Sequence, residues 1–191
     1  MENAEYMLKV LVAGDHLVGK TTFLERAATN RISGNVKSTI GVDFQVFMSS
    51  ENTKIQAWDM SGQQRFRKIT EAYFKQCQIV ILCYSDDVRE SKHNLLKEWY
   101  PLIKEKCKKF KCYVVKLKTD KESEDVFAQD DEWKELGATH FNVSAKRNVG
   151  YQNLFNTIVA ENMDSRRYIG YHHNQTILAS QSQSCGSCVV S

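Results

Sequence analysis

The chain has 191 residues, of which 42% are apolar, enough for one compact domain with a sizeable core but not for two full catalytic domains. Lys and Arg number 26 against 23 Asp and Glu, and this formal charge of +3 is too mild to indicate a nucleic-acid partner. The longest apolar run, Ile79–Tyr84, is far shorter than the roughly 20 residues that span a bilayer, and the start Met1–Glu5 lacks the positive charge of a secretory signal.

Short apolar or β-branched runs predict strands, and segments with helical periodicity fall between several of them. The six predicted strands are Tyr6–Val12, Phe44–Met48, Ile55–Trp58, Ile79–Tyr84, Tyr113–Leu117 and Thr139–Val143. The predicted helices are Lys20–Ala28, Lys68–Lys75, Lys92–Cys107, Gln129–Leu136 and Tyr151–Met163. This alternation favours an α/β fold with a mostly parallel sheet and helices on both faces. Only Ser49–Lys54 separates the second and third strands, so one edge strand is expected to be antiparallel.

The third predicted helix carries two local signals. Ser91 is a candidate N-cap, and Pro101, the only proline in the chain, is expected to bend or interrupt the helix. The protein should be made in the cytosol, where its cysteines stay reduced. Four of the six lie in core-like segments and are expected to be buried: Cys77, Cys83, Cys107 and Cys112.

The segment directly after the first strand satisfies the pattern G-x-x-x-x-G-K-[ST], reading Gly14-Asp15-His16-Leu17-Val18-Gly19-Lys20-Thr21. In such a loop, backbone N–H groups hold phosphate oxygens, Lys20 reaches the β and γ phosphates, and the Thr21 hydroxyl ligates Mg²⁺. A glycine-containing turn with an exposed Lys and Thr is the alternative, which the strand-then-helix context disfavours. The end of the third strand adds Asp59-Met60-Ser61-Gly62, where a carboxylate can hold the metal and a glycine can approach the γ-phosphate.

With these motifs the chain resembles the small GTPases of the Ras superfamily, the Rab branch most closely, over about Tyr6–Met163. Lys37–Phe44 resembles the Rab first switch, and Trp58–Phe74 resembles the second. The resemblance implies a P-loop fold in which Thr39 gives a second Mg²⁺ hydroxyl and Gln63 orients the attacking water.

Two later segments resemble the motifs that recognise guanine in this family. Lys116-Leu117-Lys118-Thr119-Asp120 matches the first, and Asn142-Val143-Ser144-Ala145-Lys146 matches the second. A carboxylate at Asp120 can accept both the N1 and N2 hydrogens of guanine, which adenine does not offer. By resemblance, the Lys118 stem lies over the base and the Ala145 N–H donates to the guanine oxygen. Without the family, Lys118 and Asp120 are ordinary surface charges.

The resulting site prediction has several parts. The expected nucleotide-binding residues are Gly14, Asp15, His16, Leu17, Val18, Gly19, Lys20, Thr21, Thr22, Thr39, Gly62, Lys118, Asp120, Ser144, Ala145 and Lys146. The expected metal ligands are Thr21, Thr39 and Asp59, and the expected catalytic residues are Gln63 and Lys20. By resemblance, effectors contact Ile40, Gly41, Val42, Asp43, Phe44, Trp58 and Tyr73. The aromatic members of this last set could equally be core residues.

Four departures from the family pattern lie near the expected nucleotide. Leu117 replaces the Asn, or the Thr of Rho-like members, whose side chain ties its loop to the phosphate loop, and Ile32 replaces an aromatic residue. His16 and Leu17 replace Gly, Ser or Ala, and bulk at His16 would crowd the γ-phosphate and Gln63. We expect weaker affinity or faster exchange, and slow hydrolysis, unless His16 turns to solvent.

From about Asp164 the composition shifts to Ser, Gln, Asn and His, which predicts a domain over residues 1–165 and a flexible tail over 166–191. The last four residues, Cys188-Val189-Val190-Ser191, fit a prenylation motif with farnesyl on Cys188, and Cys185 is a candidate for a second lipid. A metal or redox C-x-x-C pair and an inert tail are the alternatives.

The sequence therefore predicts a Rab-like GTPase that binds GTP and GDP with Mg²⁺ and acts as a switch in membrane traffic. Expected partners are exchange factors, activating proteins, a prenyl-chain escort and effectors, on the cytoplasmic face of endomembranes or the plasma membrane, with a cytosolic pool. A pseudo-GTPase binding module is the first alternative. A Rho-like GTPase, suggested by Trp99-Tyr100-Pro101, and a P-loop kinase or ATPase are the others.

Overall fold

The computed structural model describes residues 5–34, 37–74, 77–107, 109–121 and 131–169. Its strands are β1 Tyr6–Ala13, β2 Val42–Met48, β3 Thr53–Met60, β4 Ile79–Tyr84, β5 Lys111–Lys116, β6 Thr139–Asn142 and β7 Arg167–Tyr168. Its α-helices are α1 Lys20–Thr29, α2 Arg67–Glu71, α3 Ser91–Asn94, α4 Tyr100–Lys106, α5 Asp131–Glu135 and α6 Tyr151–Glu161. A π-helical turn covers Leu95–Trp99, and short 3₁₀ turns cover Gln64–Phe66 and Met163–Ser165. None of the helices within these described ranges is long and apolar enough to span a bilayer.

The sheet has the strand order β2-β3-β1-β4-β5-β6. Strands β3, β1, β4, β5 and β6 are parallel, and β2 is antiparallel to β3 with Phe44 opposite Trp58. The predicted α/β fold, with a mostly parallel sheet and one antiparallel edge strand, is confirmed. Because the carboxyl ends of the parallel strands meet at one edge, the loops that follow β1, β3, β4, β5 and β6 converge there.

Strand β7 was not predicted, because its two residues have no alternation to detect. It pairs antiparallel with the start of β1, with Tyr168 opposite Tyr6. The Ile169 N–H then donates to the Glu5 carbonyl at 2.7 Å. Regular secondary structure is thus present at residues 167 and 168, and residues 170–191, including both C-terminal cysteines, lie outside the described residues.

Two apolar clusters, one on each face of the sheet, form the core. On β1, Val10 and Val12 join the cluster that contains α1 and α6, whereas Leu11 joins the cluster beneath α4 and the π-turn. Strand β4 is buried on both faces, as a continuous apolar run predicts. The four internal cysteines are buried and free, as expected, and burial raises the pKa of Cys83 and Cys112 to about 12.

The third predicted helix is interrupted rather than continuous. The π-turn Leu95–Trp99 separates α3 from α4, and Pro101 lies in the first turn of α4. The Ser91 N-cap prediction is wrong, since Glu90 occupies the N-cap position, without a side-chain capping hydrogen bond, and Ser91 is the first helical residue. The Ser91 hydroxyl instead donates to the Ser85 carbonyl at 2.9 Å and accepts from the Ser85 N–H at 3.1 Å, so its bonds tie α3 to the end of β4.

Candidate functional site

The loop between β1 and α1 is shaped by its glycines and closed by Lys20. Gly14 has φ +141°, and a Cβ there would lie 2.1 Å from the Cys83 carbonyl oxygen on β4, so no other residue fits. The Lys20 ammonium donates to the Gly14 and Asp15 carbonyls, each at 2.8 Å. Burial lowers the pKa of Lys20, although the nearby Asp59 charge opposes this shift. A buried cation beneath the loop is an attractive counter-charge for phosphate.

Three side chains from separate elements converge beside this loop. Thr21 lies in the first turn of α1, Thr39 precedes β2, and Asp59 lies near the end of β3. The Thr21 and Thr39 hydroxyls are 2.8 Å apart, and they donate to Asp59 Oδ2 at 2.5 and 3.2 Å. These are the three residues predicted to hold the metal, brought within hydrogen-bond distance of one another.

The chemistry of this cluster fits Mg²⁺. Hydroxyl and carboxylate oxygens are ligands that Mg²⁺ accepts. Asp59 is 2% exposed, and its Oδ1 has no hydrogen-bond partner within the described ranges. Burial raises the pKa of Asp59, although hydrogen bonds from Thr21 and Thr39 and the charge of Lys20 act in the opposite direction. A cation here would pair with the unsatisfied oxygen and favour the ionised carboxylate.

Gly62 closes the other side of the phosphate loop. A Cβ on Gly62 would lie 2.3 Å from both the Asp15 carbonyl carbon and the His16 nitrogen, so this backbone approach requires glycine. A cavity of about 70 Å³ lies between the two segments. It is lined by His16, Leu17, Gly19, Lys20, Thr21, Lys37, Ser38, Thr39, Ser61 and Gly62. Gln63 follows half-buried, with its N–H 3.4 Å from the Ser61 hydroxyl.

The two unusual residues of the phosphate loop differ in environment. His16 is half-buried and lines the cavity shared with Gly62. Leu17 has φ +66° and is 68% exposed. Left-handed backbone is costly for leucine, so the conformation of the loop is imposed by its surroundings and not by this residue.

The side chain of Asp15 has a role that sequence reasoning missed. Its Oδ1 accepts from the Trp99 indole N–H at 2.8 Å, and its Oδ2 accepts from the Asn94 amide at 2.6 Å. The π-turn Leu95–Trp99 also contacts the segment after β3. Arg67 pairs with Glu98 at 2.6 Å, and its guanidinium lies 5.1 Å from the Trp99 ring centroid. No local pattern links residues about 80 positions apart; only covariation or a structure could reveal this contact.

The two predicted guanine loops contact each other. The Ser144 hydroxyl donates to Asp120 Oδ1 at 2.6 Å, which is the main cause of the lowered pKa of Asp120. The Ala145 carbonyl accepts from Arg26 Nε at 2.8 Å, which attaches the second loop to α1. Lys146 is exposed nearby. This arrangement favours an ionised carboxylate at Asp120, which would suit a pair of base N–H donors.

Leu117 and Ile32, which depart from the family pattern, differ in burial. Leu117 is 3% exposed and belongs to the core cluster with α1 and α6, so it offers no polar tie to the phosphate loop. Ile32 is 37% exposed. Thr22 is half-buried in the first turn of α1.

The predicted effector residues differ in exposure: Gly41 is buried, and Val42, Trp58 and Tyr73 are half-buried and pack against the core cluster beneath α4. The ring centroid of Trp58 lies 5.7 Å from that of Phe44 and 5.3 Å from that of Tyr73. The Lys9 ammonium is 4.5 Å from the Trp58 ring centroid. Phe44 is 52% exposed and Ile40 is 76% exposed, so these side chains are not ordinary core residues. Gly41, Val42 and Asp43 connect them along the chain.

Comparison with known proteins agrees with this geometry. A sequence profile of the Ras family matches residues 9–164. The chain is 34% identical over 165 residues to the Ras-related protein Rab-3 of Caenorhabditis elegans, covering 83% of this chain and 75% of that protein. It is equally identical, over the same length, to Rab-3C of Bos taurus and Rab-3A of Homo sapiens, covering 72% and 74% of those proteins. The chain is thus a Rab-like member of the Ras family of small GTPases.

Proposed function

We propose that this protein is a membrane-associated switch in vesicle traffic that binds GTP or GDP with Mg²⁺ and hydrolyses GTP slowly. The convergence of Thr21, Thr39 and Asp59 supports this proposal most directly. These residues belong to the phosphate loop, the first switch and the end of β3, so a ligand at their meeting point would join three segments. The Rab-3 relatives favour a Rab-like over a Rho-like role.

In this proposal, the chain binds the triphosphate mainly through backbone. The N–H groups of the phosphate loop and the Lys20 ammonium hold the phosphate oxygens. Thr21, Thr39 and Asp59 would hold Mg²⁺, which neutralises charge between the β and γ phosphates. The Gly62 N–H donates to the γ-phosphate, and Gln63 orients the attacking water. Loss of the γ-phosphate removes the contacts that order Thr39 and Gly62.

Guanine selectivity is assigned to Asp120, with the Lys118 stem over the base and the Ala145 N–H on the guanine oxygen. Chromatography of nucleotide released from the purified protein, followed by competition between GTP and ATP, tests this assignment. Guanine nucleotide should dominate, and Asp120→Ala should reduce the preference for GTP, whereas the matched variant Asp164→Ala should keep it. Preferential ATP binding by the wild type would contradict the proposal and favour a P-loop kinase or ATPase.

A pseudo-GTPase binding module is the second candidate. Two observations favour it: Leu117 is buried in the core, and His16 lines the small cavity with Gly62. GTP loaded with Mg²⁺ should be converted to GDP in a single-turnover assay, alone or with an activating protein, if the protein is a switch. GTP that persists over many hours under both conditions would favour the module instead.

We also propose a lipid anchor on the C-terminal cysteines, which lie outside the described residues. One prenyl chain on Cys188 gives only marginal membrane binding, so a second lipid on Cys185 would be needed for stable attachment. In cells, Cys188→Ser should move the full chain to the soluble fraction, and Cys185→Ser should weaken membrane association. Ser187→Ala is the matched control. Unchanged membrane association of the Cys188 variant would exclude prenylation as the anchor.

A further inference from the structure

Lys118 adopts an uncommon backbone conformation at the edge of the base site. Its φ is +59°, in the left-handed region that side chains rarely adopt. Such a conformation persists only where surrounding contacts stabilise it. The side chain of the preceding residue supplies no polar contact, since Leu117 lies within the apolar core. Backbone bonds hold part of this loop, such as that from the Leu117 N–H to the Tyr84 carbonyl at 2.8 Å, and the side chain of Lys118 adds further contacts.

On one side, Lys118 contacts the phosphate loop. Its ammonium donates to the Leu17 carbonyl at 2.6 Å. A Cβ on Gly19 would lie 3.2 Å from Lys118 Cε, so the stem passes closely over this glycine. The lysine thus spans the gap between the guanine loop and the phosphate loop.

On the other side, the same ammonium meets a carboxylate. Asp87, in the loop after β4, accepts from Lys118 at 3.0 Å through Oδ2 and at 3.3 Å through Oδ1. Lys121, on the far side of the guanine loop, donates to the same Oδ2 at 2.5 Å. One carboxylate therefore contacts two lysines that are three residues apart in the chain.

Asp87 is itself held in place by the structure below it. The Ser85 hydroxyl donates to Asp87 Oδ1 at 2.5 Å. The backbone N–H and carbonyl of Ser85 in turn bond the buried Ser91 hydroxyl of α3. Hydrogen bonds from Lys121, Ser85 and Lys118 outweigh the effect of partial burial and lower the pKa of Asp87 to about 2. The carboxylate is charged throughout the neutral range.

We infer that Asp87 is a positioning residue for the bound guanine nucleotide: its ion pair holds Lys118 over the base site. The apolar side chain of Leu117 cannot make a polar contact that would hold this loop. This inference rests on the proposed binding of guanine nucleotide at this site. It assigns a role to a residue in the loop after β4 that does not touch the nucleotide. Its effect should fall on nucleotide release, since Lys118 must move for the base to leave.

Asp87→Asn tests the inference in the full chain. Release of a fluorescent GDP analogue should be about tenfold faster, because a charge-assisted contact is lost at a partly exposed position. Asp87→Glu keeps the carboxylate and should restore most of the slow release. Asp86→Asn is the matched control, because this neighbouring carboxylate pairs with Lys116 and not with Lys118. It should release GDP within about twofold of the wild-type rate.

Ionic strength separates this role from a general loss of structure. Raising KCl should shrink the ratio of the Asp87→Asn rate to the wild-type rate, because salt screens the partly exposed pair. The ratio should stay constant from pH 5 to 9. A wild-type release rate in Asp87→Asn, or an equal acceleration in Asp86→Asn, would overturn the inference while leaving guanine binding intact. A wild-type protein that binds no guanine nucleotide would instead overturn both proposals.

Discussion

We expect His16 to slow hydrolysis, because it shares a small cavity with the backbone of Gly62. Replacing it with serine should open space for the γ-phosphate and for the side chain of Gln63. We expect His16→Ser to raise the single-turnover rate of GTP hydrolysis about fivefold, which corresponds to roughly 1 kcal/mol of barrier.

The matched control for this prediction is His93→Ser. His93 is exposed on α3 and lies outside the cavity around Gly62, so the same substitution there should leave hydrolysis unchanged. An unchanged rate in His16→Ser, both alone and with an activating protein, would show that His16 turns away from the reacting phosphate and does not limit hydrolysis.

Asp59 should couple nucleotide retention to Mg²⁺. If both ligands bind at this cluster, chelation with EDTA should speed GDP release about 5- to 150-fold in the wild type. Asp59→Asn removes the carboxylate charge and should release GDP at a rate that hardly responds to EDTA. Burial raises the pKa of Asp59, and protonation competes with the metal, so Mg²⁺ affinity should fall as the pH is lowered. An EDTA response in Asp59→Asn equal to that of the wild type would contradict this role.

Among the structural elements, the π-turn joins the phosphate loop to the second switch. Trp99 and Trp133 are both 1% exposed and both lie near a cation, but only Trp99 donates its indole N–H to a described acceptor, Asp15. Trp99→Phe should therefore lower the free energy of unfolding by about 1 to 2 kcal/mol more than Trp133→Phe. Denaturant titration measures both. Equal losses would show that the bond to Asp15 contributes nothing to stability.

Side chains on the two faces of strand β2 differ in burial. Phe44 is 52% exposed, whereas Phe47 is 8% exposed and packs against Phe155 at 4.9 Å between ring centroids. Phe47→Ala should cost about 3 to 5 kcal/mol of unfolding free energy, and Phe44→Ala less than about 1 kcal/mol. Similar losses in the two variants would mean that Phe44 is a core residue, and would weaken its assignment to an effector surface.

The order and type of the main elements could be predicted because each strand and helix carries its own periodic pattern. The interruption at Leu95–Trp99 could not, since Pro101 marks a break without revealing that a π-turn precedes it. The phosphate loop could be predicted because its residues form one continuous motif in the sequence. The links from Asp15 to Trp99 and from Asp87 to Lys118 depend on how distant segments pack, and isolated charges in a sequence do not specify their partners.

At the scale of the whole molecule, the bound nucleotide should change amide hydrogen exchange in some segments and not in others. Lys37–Asp43 and Ser61–Tyr73 border the proposed γ-phosphate position, and Arg67 of the second segment contacts the π-turn through Glu98. Protein loaded with a non-hydrolysable GTP analogue should exchange more slowly in both segments and in Leu95–Trp99 than protein loaded with GDP. Strand β4, which is buried on both faces, should exchange equally in the two states. Identical exchange in all these segments would mean that the γ-phosphate changes nothing, and would favour the binding module over the switch.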